Sequence, residues 1–143
     1  MMSAPNNVAV QARVRLTLKP AGATTGYVDG GWWPRSNALE EELPELLVTL
    51  RERLGVVEAV SYHLGDWASP PRRITIEGVS VRLAGYHVQT KGTVDVIARD
   101  KRLTLLVVDP AVSERTANNT LDAAANPENT GRAATLLDHT NDE

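Results

Sequence analysis

Cysteine and phenylalanine are both missing from these 143 residues. Without cysteine there is no disulfide, no thiolate metal site and no cysteine nucleophile, and the redox compartment is left open. Without phenylalanine, three tryptophans and three tyrosines are the whole aromatic complement, so each weighs heavily in any core. Long apolar runs are missing too: no stretch approaches the roughly 20 residues that a bilayer-crossing helix needs. MMSAPNN at the start has neither the basic nor the apolar region of a secretory signal. The expectation is a cytoplasmic protein with no membrane partner. Lysine is scarce, 3 against 12 arginines, a bias that points to a GC-rich genome rather than to a function.

Several chemistries lack their residues. His63, His87 and His139 are far apart with no HxxxH spacing, so no metal site is expected and no cofactor is called for. There is no GxSxG elbow, and neither glycine-containing segment near residues 22 and 30 carries the lysine-bearing spacing of a nucleotide loop. The net charge of −3 divides unevenly: residues 1–108 hold 13 basic and 11 acidic side chains, residues 109–143 hold 2 and 7. The acidity is in the tail, and no basic stripe offers nucleic acid a track.

What is present is centred on Tyr27 to Ser36, YVDGGWWPRS. Asp29, Gly30 and Gly31 read as a sharp turn in which glycine takes φ > 0, and Pro34 stiffens the exit. Side chains of adjacent extended residues point opposite ways. Trp32 and Trp33 therefore put one ring in the core and one at a groove, or else both cover the sheet end. Asp29 and Arg35 bracket the pair, as a loop-fixing salt bridge or hydrogen bonds, or as ligand contacts.

Arg13 to Lys19 alternates as a strand with Val14, Leu16 and Leu18 inward. Residues 37–54 form the strongest helix, with Leu39, Leu43, Leu46, Leu47, Leu50 and Leu54 on one stripe. Its glutamates lie early and its arginines late, as the helix dipole favours. Ser36 or Asn37 is expected to cap it, Gly55 to close it, and Pro44 to kink it or leave one irregular turn. Val56 to Tyr62 reads as a strand leading into a second ordered loop, His63 to Trp67. A hairpin turning at Glu77-Gly78 pairs Ile76 with Val79 and Ile74 with Val81. A further hairpin near Asp100-Lys101 sets Val94, Val96 and Ala98 beside Leu103, Leu105 and Val107. Leu106 and Val108 are apolar on the opposite face, which places that strand centrally or under a helix. Ser113 caps a weaker helix to about Ala125, striped by Ala117, Leu121 and Ala124.

The fold expected is α+β: a curved, mainly antiparallel sheet of about six strands packed on the 37–54 helix, with a C-terminal helix. Residues 1–12 are expected to be disordered, 13–127 to form a single domain, and 128–143 to be an acidic, partly mobile tail. YVDGGWWPRS, ELPELL, YHLGDW with its following PPRR, and RLTLLVV together resemble an uncharacterised actinobacterial domain-of-unknown-function family of small single-domain proteins carrying YVDGxWWPRS. The resemblance covers most of residues 13–127. It implies no established activity, cofactor or catalytic residue.

Three function classes follow from the residues. A non-enzymatic module binding a small molecule or a protein leads, because aromatic and arginine side chains on a stiff loop suit recognition. Its binding residues are Tyr27, Asp29, Trp32, Trp33, Arg35, His63, Asp66 and Trp67, on the expectation that the two tryptophan-bearing segments converge at one end of the sheet. The second class is a small enzyme acting on an anionic or flat substrate, with His63 as base, Asp66 orienting it and Arg35 as anion anchor. The third is a weak nucleic-acid binder, which the overall acidity opposes.

Overall fold

The computed structural model describes residues 14–20 and 28–126. The expected disordered start and acidic tail lie outside the described residues. Seven strands form one open sheet in the order β1-β2-β7-β6-β3-β5-β4. The strands are β1 (Leu16–Leu18), β2 (Gly30–Trp32), β3 (Val57–His63), β4 (Arg73–Ile76), β5 (Val79–Tyr86), β6 (Thr93–Ala98) and β7 (Arg102–Val107), and the helices are α1 (Leu39–Leu54) and α2 (Glu114–Ala125).

The sheet is mixed rather than mainly antiparallel. β2 pairs parallel with β7 and β3 parallel with β5, while the other four pairings are antiparallel. The seventh strand is β2, which the glycines disguise as a turn. Neither Gly30 nor Gly31 has positive φ. They are strand residues whose missing side chains allow close approach: a Cβ on Gly30 would run into the Thr17 carbonyl, and one on Gly31 would stand 2.9 Å from Leu121 Cδ2.

The leucine stripe of α1 is buried at all six positions and faces the main core with Val60, Val94, Val96 and Leu105. The helix begins at Leu39, with Ala38 as N-cap and no side-chain cap hydrogen bond. Instead Glu42 reaches back, accepting from the Arg35 N–H at 3.0 Å and the Ser36 hydroxyl at 2.8 Å. Pro44 sits inside one continuous helix, and Gly55 closes it at φ 77°.

The first hairpin takes its expected register; the second is shifted by two residues, because the chain turns over 98–101 rather than at Asp100-Lys101 alone and Val107 comes opposite Gly92 instead of Val94. Ile76 faces Val79 and Ile74 faces Val81, around Glu77 at φ 51° and Gly78 at φ 81°. Val94 pairs with Leu105 and Val96 with Leu103. β7 lies between β2 and β6. Its second apolar face is covered by α2: Leu106 packs with Val28 and Ala124, and Val108 with Trp33, Ala117 and Leu121. The Ser113 hydroxyl caps α2 by accepting from the Thr116 N–H at 3.2 Å.

Candidate functional site

The 28–36 segment is tied to the rest of the protein by backbone and side-chain bonds. Asp29 locks β2 to β7 with two bonds, its N–H donating to the Thr104 carbonyl at 2.7 Å and its carboxylate accepting from the Thr104 N–H at 2.8 Å. Trp32 is 3% exposed in the core under α1; Trp33, 7% exposed, lies under α2. Successive residues of a strand face opposite ways, so the WW pair serves two cores. The Trp33 indole N–H donates to the Asp109 carbonyl at 3.1 Å. The Arg15 guanidinium stacks 3.6 Å above the Trp33 ring and donates to the carbonyls of Trp33 and Pro34. Burial first, and the positive charge of Arg35 second, hold the Arg15 pKa below the ordinary arginine value. Arg35 itself is exposed. Tyr27 lies outside the described residues.

The 63–67 segment does meet this one, in the interior. The Trp67 ring stacks on Trp32 with centroids 5.7 Å apart and planes at 24°. Trp67 is 7% exposed, so the exposed tryptophan face expected at this junction is instead core packing. A chain without phenylalanine has few other large rings to fill that volume. His63 Nδ1 accepts from the Gly65 N–H at 3.2 Å and stands 3.6 Å from Asp66 Oδ1. The other Asp66 oxygen accepts from the Gly92 N–H at 2.8 Å, pinning the β5–β6 connection. Among the described residues no three His, Asp or Glu side chains group as metal ligands do.

A different cluster opens to solvent. Where β4 ends, a groove of about 530 Å³ lies beside β5. Tyr62, Leu83 and Gly85 line it from the sheet, and Pro70 and Pro71 from the β3–β4 crossover; Arg72, Arg73 and Arg82 add three cations. The arginines are exposed, and none forms an ion pair with a described carboxylate. Arg73 donates to the Ser80 hydroxyl at 3.1 Å. Arg73 and Arg82 face each other across the β4–β5 ladder. Burial raises the Tyr62 phenol above its ordinary pKa. Gly85 makes room for that ring, since a Cβ there would lie 2.7 Å from Tyr62 Cε2.

Arg72, Arg73 and Arg82 are not among the binding residues that the sequence suggests. The signal was there in the hairpin. Pairing 74 with 81 places 73 opposite 82, and two arginines in that relation repel unless something anionic joins them.

With this geometry in view, the chain falls in a class defined by sequence and fold rather than by chemistry: an uncharacterised α+β domain. It belongs to the Family of unknown function (DUF5994), which matches residues 15–124. The match runs from the arginine that stacks on Trp33 to the last buried residue of α2. No curated protein and no solved structure matches the chain.

Proposed function

We propose that this chain is a non-enzymatic binding module that captures an anionic ligand in the Arg72/Arg73/Arg82 groove. One observation carries the reading: Arg72, Arg73 and Arg82 all line a single groove, and none has an ion-pairing carboxylate among the described residues. Like charges directly opposite on paired strands destabilise a sheet by up to about 1 kcal/mol, and a bound anion relieves that repulsion. Guanidinium forks suit carboxylate and phosphate oxygens. In this reading Asp29, Trp32, Trp33, Asp66 and Trp67 hold the frame, while His63 and Arg35 stand nearer solvent. The arginine-over-lysine bias supports an actinobacterial source for the family. The internal bonding of residues 28–36 supports YVDGxWWPRS as its marker.

Titration calorimetry with pyrophosphate and with hexaglutamate tests the proposal. At least one is expected to bind, with affinity falling as salt rises. Arg72→Gln and Arg82→Gln should each weaken it about tenfold while the melting temperature holds. Binding that ignores both substitutions would place the ligand elsewhere.

A further inference from the structure

We infer that the groove is a docking edge for an extended, acidic segment of a partner protein, which adds to β5 as a new strand where β4 stops. This rests on the anion-binding reading above and gives its ligand a shape.

β5 spans Val79–Tyr86, but β4 pairs only with its first half, from Ile76↔Val79 to Arg73↔Arg82. One further bond, the Leu83 N–H to the Arg72 carbonyl at 2.8 Å, ends the ladder. Next along the β4 side come Pro71 and Pro70, which have no N–H to give. Ser69, at φ 42°, has already left the extended region. In an antiparallel ladder, alternate residues turn both backbone polar groups to the same neighbour. Leu83 turns to β4, so Gly85 turns the same way, into the groove it lines. Its N–H and C=O form an open rung of the sheet.

The surroundings select the occupant. A strand added here presents every second side chain to the face bearing Arg73 and Arg82, so carboxylates at alternate positions meet cations. On the opposite face, where a Gly85 side chain would point, Leu64 is 39% exposed, an apolar contact for the intervening residues, while Tyr86, 47% exposed, continues the face of Arg82. Backbone rungs then supply affinity and the alternating side chains supply selectivity, as in other strand-addition complexes. The occupant that fits is an extended stretch in which acidic and apolar residues alternate.

Fluorescence anisotropy with four labelled peptides tests this: (Val-Glu)4, (Val-Lys)4, and two forms of (Val-Glu)4 with backbone N-methylation on one or the other alternate set of residues. The acidic peptide is expected to bind and the lysine peptide to fail. N-methylation should weaken binding about tenfold on one set and little on the other, because only one set turns its N–H to β5. The Gly85 amide should also gain protection from hydrogen exchange. If both methylated peptides bind like the parent while Arg82→Gln still weakens them, the anion site stands and strand addition is overturned. Pyrophosphate binding without peptide binding overturns it as well. If no acidic peptide, hexaglutamate or pyrophosphate binds, both readings fall.

Discussion

Trp32 packs under α1 and Trp33 under α2, so one dipeptide closes two layers. Replacing either with alanine is expected to cost about 3–5 kcal/mol in urea unfolding, the range for a buried aromatic. A small loss at either would mean that its ring is dispensable to the core. Trp67 differs, because its buried indole N–H has no hydrogen-bond partner, and an unmet buried donor costs about 1–3 kcal/mol. Trp67→Phe keeps a ring against Trp32 and removes that donor, so it should destabilise less than Trp32→Ala. Tyr62 predicts a pH effect. Its folded pKa is raised, so its contribution to stability is complete below the unfolded value of about 10 and is lost as pH rises through the folded one. Tyr62→Phe should flatten the alkaline fall in stability, which unfolding curves between pH 9 and 11 would show.

The elements differ in how openly the sequence declares them. α1 and the two hairpins have local causes, a leucine stripe and turn residues close to the strands they join, and each appears where expected, the second hairpin with its register moved by two residues. β2 has no local cause. Two glycines in three residues argue against a strand, and only tertiary crowding from Thr17 and Leu121 explains them. The two parallel pairings likewise join segments distant in the chain, for which no turn gives a signal. The same contrast holds for the site. That residues 28–36 and 63–67 meet was legible from their shared aromatic character, but which way the rings point is decided by the layers on either side. Leu47→Ala tests the α1 layer: Leu47 is 2% exposed, and truncation should destabilise by about 2–5 kcal/mol. Leu121→Ala tests the α2 layer, with a similar loss expected and a red shift of tryptophan emission as Trp33 is uncovered. A stable variant with unshifted emission would show that α2 does not shield that ring.

At the scale of the molecule, one half of the sheet is sandwiched between helices while the other ends in a short β4 edge and a break beside it. Rigidity and openness are thereby separated. The tryptophan-rich half builds the frame, and the arginines collect at the end where the ladder stops. The chain carries a net charge of −3, so the groove is a local cationic feature on an acidic protein, and binding there should be strongly salt-sensitive. The central claim is that recognition belongs to this groove and not to the tryptophans. Its most direct test is amide and indole chemical-shift mapping of the full chain while hexaglutamate is added. Shifts are expected at Arg72, Arg73, Arg82, Leu83 and Gly85 with the indole N–H signals of Trp32 and Trp33 unmoved. Shifts centred on those indoles, with residues 72–85 silent, would contradict it.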